Sequence, residues 1–299
     1  MSKFVVTTDS CADFFKSDYE KMNVPYIIIK RILDGVEISE VYDSEQECEE
    51  FYEKLKNGER PTTVAGNEQE FIEFFTKVLS ETKGDIVHIC LSSGLSVTYD
   101  NAIKAVEAMQ PKLNGRKIHI VDSLIATWGM AMLVERLVEM RDVGMDTGEA
   151  IEKIKEIRDH QQGWFVITDL FHAKRGGRIS GTKAMIGSVL GIKPIMIIAK
   201  NGKLAIQGKA IGAKKAVKYL VDKVEEMGAK VRDKFMDTTL YIVRTTKGEI
   251  YEDIKKALAE KFPKLKVKEG IMGPTIGTHA GSTATAILFE GAPRLDLKA

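Results

Sequence analysis

Apolar residues along this chain alternate between two patterns. Short, unbroken, β-branched runs at Val5–Thr8, Tyr26–Ile29, Ile86–Leu91 and Ile118–Val121, each bounded by polar turn residues, predict strands. Between them, apolar positions recur at helical spacing over Glu45–Lys56, Glu68–Thr82, Val97–Met109 and Ile125–Asp142. Strands that are apolar on both faces and separated by helices predict a parallel sheet covered on both sides. Ligands bind such sheets at the carboxyl ends of the strands, in the loops that lead into helices.

The pattern changes in the second half. A helix over Gly148–Asp159 is followed by a strand at Trp164–Thr168 and a basic, glycine-rich segment, Lys174-Arg175-Gly176-Gly177-Arg178. Asn201-Gly202, a strong hairpin signal, stands between strands at Pro194–Ala199 and Lys203–Gln207. Thr239–Val243 with the helix Glu249–Lys261 comes next. Val267–Ile271 then leads through a glycine-punctuated segment to a last strand, Ala284–Phe289. The expected architecture is α/β in two domains. Residues 1–160 form a parallel α/β N-terminal domain, and residues 161–299 an α+β C-terminal domain with a mixed sheet. No Pro- or Ser-rich linker separates them, which predicts close packing with a crevice between.

Charge narrows the possible partners. Lys and Arg number 44 against 43 Asp and Glu, a net +1, so no long-range field gathers nucleic acid. Hydrophobic residues at 44% and charged residues at 29% are ordinary for a globular protein. Cys11, Cys48 and Cys90 share no metal-ligand spacing and cannot all pair, so reduced thiols in a cytoplasmic protein are expected. Met1-Ser2-Lys3 runs straight into the first strand without the features of a secretory signal. No apolar stretch approaches the roughly eighteen residues of a membrane span, so no stable membrane insertion is expected. Neither Gly-x-Gly-x-x-Gly nor a P-loop lysine is present, and no cofactor or metal is expected.

Four strand-end segments carry candidate chemistry: Thr8-Asp9-Ser10; the hydroxyl-rich turn from Pro61-Thr62-Thr63 to Asn67; Leu91-Ser92-Ser93-Gly94-Leu95-Ser96; and the glycine-rich loop Gly273–Gly281 around His279. A glycine-containing turn at a helix start exposes main-chain N–H groups to an anion, and serine hydroxyls add donors. The same serines are also preferred helix caps, and by spacing alone the cap reading is the stronger. Asp9 and Asp122 each end a strand before a serine, which suits a turn cap. His279, flanked by small residues, suits a ligand-facing position. One rival is an acyl hydrolase with Ser93 as nucleophile and His279 as base, although the Gly-x-Ser-x-Gly elbow is absent. Others are a phosphate-binding module and an interaction protein with a vestigial pocket.

Taken in order, these segments resemble the DegV family of bacterial fatty-acid-binding proteins. Thr8-Asp9-Ser10 with Ala12-Asp13, Pro61-Thr62-Thr63, Leu91 to Ser96 with Thr98-Tyr99, Val121-Asp122-Ser123, Gly176-Gly177-Arg178, Lys193-Pro194 and Gly277-Thr278-His279 carry the resemblance. The resemblance implies a non-catalytic protein that holds one long-chain fatty acid, such as palmitate, between its domains. Some members present that acid to a separate fatty-acid kinase. Carried over by position, Thr62 and Ser93 hydrogen-bond the carboxylate. Thr63, Ser92 and Gly94 lie beside them, and His279 stands nearby. Without a second cation, either His279 is protonated when the acid is bound or the head is the neutral acid. Departures from the family pattern are Val64-Ala65-Gly66 after the threonines, Val97 after Leu95-Ser96, Gly281-Ser282-Thr283 after the histidine, and Ile211 where an arginine is expected.

Overall fold

The computed structural model describes residues 4–39, 41–179, 191–229 and 239–296. The chain divides into two compact units, Met1–Ser44 with Pro61–Arg158 and Glu45–Arg60 with Asp159–Ala299.

In the first unit, β1 (Phe4–Asp9), β2 (Tyr26–Ile27), β6 (Asp85–Cys90) and β7 (Ile118–Asp122) form a four-stranded sheet in the order β2-β1-β6-β7. Every pairing in it is parallel. Because both faces of these strands are apolar, helices cover both. Phe71, Phe75 and Val78 of α3 (Glu68–Glu81) and Ala102, Ala105 and Met109 of α4 (Thr98–Met109) pack on Ile27, Ile86 and Ile118. On the chain's return, α5 (Trp128–Asp142) buries Met130, Leu133, Val134 and Leu137. Helices α1 (Lys16–Met22) and α6 (Thr147–His160) complete the set. A small antiparallel sheet, β4-β3-β5, joins β3 (Arg31–Leu33), β4 (Val36–Ile38) and β5 (Thr62–Thr63). The threonine pair expected in a turn is therefore a strand, held by its pairing with Arg31 and Ile32.

The second unit is built on a six-stranded mixed sheet in the order β10-β9-β8-β13-β11-β12. Its strands are β8 (Gln161–Ile167), β9 (Ile192–Ile198), β10 (Leu204–Ile211), β11 (Thr239–Arg244), β12 (Lys266–Ile271) and β13 (Ala284–Glu290). The β9–β10 hairpin pairs Leu204 with Ile198 around Asn201-Gly202, whose glycine adopts φ 74°. Helices α8 (Ala213–Ala229) and α9 (Glu249–Lys261) bury Leu220, Val224, Ile254 and Leu258 against Trp164, Val166, Ile242 and Phe289. Two short helices, α7 (Leu170–Arg175) and α10 (Pro274–Ala280), flank the glycine-rich segments.

A contiguous division near residue 160 is interrupted by α2 (Glu45–Lys56), which groups with the second unit. Three contacts explain this. Arg244, only 2% exposed, pairs with Glu45 and Glu49 of α2. Tyr52 donates to the Met272 carbonyl at 2.7 Å. Gly277 of α10 packs so closely on the Tyr52 phenol that a Cβ there would overlap it. Among the described residues no helix is long and apolar enough to cross a membrane.

Candidate functional site

At the carboxyl ends of β1 and β6 the first unit carries a buried polar seam. Asp9 accepts the Cys11 N–H at 2.9 Å through Oδ1 and the Leu91 N–H at 2.7 Å through Oδ2, so one carboxylate joins two strand-end turns. Burial raises its pKa to about 6, against the opposing effect of those two N–H groups. Further back along the same two strands, His88 Nδ1 lies 2.9 Å from the Thr7 hydroxyl. The rings of Phe71, Phe74 and Phe75 approach it edge-on, and burial depresses its pKa to about 3. Asp9, His88 and Cys90 bring one potential metal ligand each within 4.8 Å of one another. Both Asp9 oxygens, however, are committed to main-chain N–H groups, and the cluster serves as a structural seam. All three cysteines are buried free thiols.

The serine turn is built from its own atoms. Ser92, wholly buried, accepts the Gly94 N–H on its hydroxyl at 3.1 Å and the Leu95 and Ser96 N–H groups on its carbonyl at 3.0 and 3.2 Å. The Ser93 N–H goes to Asp122 Oδ1 at 3.1 Å, and Asp122 also caps Leu124 at 3.0 Å. Ser96 accepts the Thr98 N–H where α4 begins. Asp9 and Asp122 therefore cap their turns as expected. The serines do not cap α4: its N-cap is Val97, without a side-chain bond, and Ser92 and Ser96 satisfy the N–H groups of Gly94 and Thr98 in the turn that leads into it. The main-chain N–H groups of residues 93–96 already have acceptors, so donors for an anion are hydroxyls. Those of Thr62 and Ser93 are exposed and have no hydrogen-bond partner among the described residues. Thr63 and Gly94 are half-buried beside them in sequence. Asn101, in the first turn of α4, donates to the Gly66 carbonyl at 2.9 Å and so ties the segment after β5 to the helix that the serine turn feeds. Val64 and Val97, at 37% and 59% exposure, are apolar neighbours of these hydroxyls along the chain.

In the second unit, His279 sits in the last turn of α10, a seven-residue helix with Pro274 at its start, where the sequence suggested a loop. Glycines 273, 277 and 281 masked the helix, because glycine disfavours helices unless packing demands it. His279 is half-buried and its Nδ1 lies 3.1 Å from the Gly176 carbonyl. A carbonyl only accepts, so Nδ1 carries the proton. Burial, helped by the positive charge of Arg178, depresses the pKa to about 4, and the ring is neutral near pH 7. The group that orients this histidine is a carbonyl, where a catalytic triad places a carboxylate. Ile211, at the end of β10, is 58% exposed. Arg178, a polar neighbour of His279, lies in the Gly176-Gly177-Arg178 segment already noted, whereas its other polar neighbour, His172, was not singled out by motif.

A parallel α/β unit with helix-leading hydroxyl turns and a mixed-sheet unit carrying a half-buried histidine define an α/β protein of two compact units. The model for the DegV family, described as uncharacterised proteins, matches residues 3–292. A DegV domain-containing protein of Clostridium perfringens is 32% identical over 97% of this chain and 98% of its own length. Among solved structures, the Bacillus subtilis DegV, a fatty acid binding protein, is 25% identical with a TM-score of 0.81, covering 97% of this chain and all of that one. The fatty acid binding DegV protein of Streptococcus agalactiae is also 25% identical, with a TM-score of 0.84 over 97% of this chain and 99% of its own. The chain belongs to the DegV family.

Proposed function

We propose that this protein is a non-catalytic carrier of one long-chain fatty acid. Thr62 and Ser93 hold the carboxyl head, with Thr63, Ser92 and Gly94 around it and His279 as its ionisable partner. The observation that carries the reading is the likeness, over nearly the whole chain, to two fatty-acid-binding structures at 25% identity. The uncommitted hydroxyls of Thr62 and Ser93 and the exposed Val64 and Val97 beside them support it.

Energetics divide the work between tail and head. A chain of about sixteen carbons gains roughly 0.8 kcal/mol per buried methylene, on the order of 10 kcal/mol gross. Association and ordering offset a large share of this. A carboxylate leaving water costs several kcal/mol unless it is hydrogen-bonded, so the head fixes orientation while the tail supplies affinity. A neutral His279 presents a lone pair, not a cation. The bound head and the imidazole therefore share one proton, taken up on binding. Presentation of the acid to a fatty-acid kinase is part of the same proposal. The cation acting at His279 is then Arg178, since position 211 is isoleucine.

The test is retention of palmitate after delipidation and reloading. Thr62→Ala with Ser93→Ala is expected to lose about tenfold or more in retention, the scale of one to two charge-assisted hydrogen bonds. Unchanged retention in the double variant removes these hydroxyls from the site.

A further inference from the structure

Resting on the reading of His279 as the partner of the acid head, we infer that His172 is a positioning residue that fixes the tautomer of His279, so that Nε2 is the ring nitrogen presented to the ligand. The two histidines sit on adjacent short helices and each bonds the main chain of the other's helix. His172, 7% exposed, places Nε2 2.7 Å from the Thr278 carbonyl, the residue before His279. His279 places Nδ1 3.1 Å from the carbonyl of Gly176, the residue that ends α7. Carbonyls cannot donate, so His172 carries its proton on Nε2 and His279 on Nδ1.

The rest of the local structure holds this exchange in place. The His172 N–H donates to Asp169 Oδ1 at 2.9 Å, and the Asp169 N–H donates to the Thr283 hydroxyl at 2.9 Å, just beyond α10. The Gly176 N–H returns to the His172 carbonyl at 3.0 Å, so moving His172 moves the acceptor of His279. Arg178 Nη1 donates to the same Gly176 carbonyl at 2.8 Å and helps to hold it. Against the His172 ring stands Gly281, with φ 75° and room for no side chain: a Cβ there would lie 2.9 Å from His172 Cγ. Only glycine permits both that backbone and that approach. A second-layer hydrogen bond that sets a neighbour's tautomer also sets which atom is basic.

The experiment is nitrogen NMR of ¹⁵N-histidine-labelled, ligand-free protein at neutral pH, followed by palmitate release from reloaded protein. Wild type is expected to show His279 as the neutral Nδ1–H form. His172→Phe, which has no donor, is expected to give a mixture of tautomers at His279 and about tenfold faster release, one hydrogen bond's worth. His172→Gln keeps an N–H near the position of Nε2 and is expected to restore both readouts. His172→Asn, polar but too short to reach the Thr278 carbonyl, should behave as the Phe variant does and stands in for it if that chain fails to fold. An unaltered His279 tautomer in the donor-less variants overturns the inference. His279→Gln run in parallel separates the two ideas: palmitate held as tightly as by wild type sinks the headgroup reading, whatever the tautomer result.

Discussion

The serine turn after β6 and the helix α10 both present side chains at strand ends, yet they are held by different means. The turn is satisfied by polar atoms: Ser92 and Asp122 absorb its N–H groups, and Asp9 stitches its base to the first strand. Helix α10 adds close steric fit to its polar bonds with α7, with Gly277 against Tyr52 and Gly281 against His172. Polar stitching buries titratable groups and makes the first region sensitive to pH. Glycine contacts carry no charge and make the second sensitive to a single methyl group.

The largest expected effect lies in the polar region. His88, depressed by burial from an ordinary 6.5 to about 3, stays neutral in the folded chain while the unfolded chain takes up a proton. Stability is therefore complete above pH 6.5 and falls toward pH 3 by up to about 5 kcal/mol. Asp9, raised from 3.8 to about 6, acts in the opposite direction. Its protonation favours the fold as pH drops through that window, by up to about 3 kcal/mol. Urea unfolding at several pH values should show a net acid loss, larger in Asp9→Asn and turned into a gain in His88→Gln, where only the Asp9 contribution remains. Equal pH profiles in all three proteins break the contrast.

Next comes the steric region. Gly277→Ala is expected to lower stability by about 3 kcal/mol, the scale of an overpacked core, with little dependence on pH. Tyr52→Ala is itself destabilising, since it empties a buried site and loses the bond to Met272. In that background Gly277→Ala should cost much less, because the methyl then has space, so a double-mutant cycle should show recovery of part of the loss. Absence of recovery means that the Tyr52 contact is not what requires the glycine.

The smallest effect concerns both regions through the ligand. On the proposed reading, with His279 neutral above about 4 and the free acid ionised near pH 7, binding should take up close to one proton. Palmitate affinity should then fall about tenfold per pH unit between pH 6 and pH 8, the slope of a one-proton linkage. His279→Gln should flatten that slope. Calorimetry in buffers of different ionisation enthalpy reads the proton directly, and no uptake contradicts the shared-proton head.

What the sequence made legible follows from the range of each interaction. Helix α2 was readable to its ends because its apolar face and flanking charges are local, yet its membership of the second unit depends on Arg244, far away in the chain. The parallel strands stood out because burial on both faces leaves continuous apolar runs. Thr62-Thr63 read as a turn, since a two-residue strand has no period and exists only through its partner β3. Helix α10 was hidden because its glycines serve contacts with Tyr52 and His172 that no local pattern announces. Of the proposed site, the hydroxyl turns and His279 stand out as motifs. The commitment of the turn's N–H groups, the depressed pKa of His279 and the part played by His172 depend on tertiary neighbours.

The most direct measurement is native mass spectrometry of the freshly purified, untreated protein. The account predicts an added mass matching one fatty acid of about fourteen to eighteen carbons, a tail long enough for methylene burial to outweigh the cost of association. That mass should disappear on delipidation and return with palmitate. A protein that carries no such mass and takes up none when palmitate is supplied contradicts it.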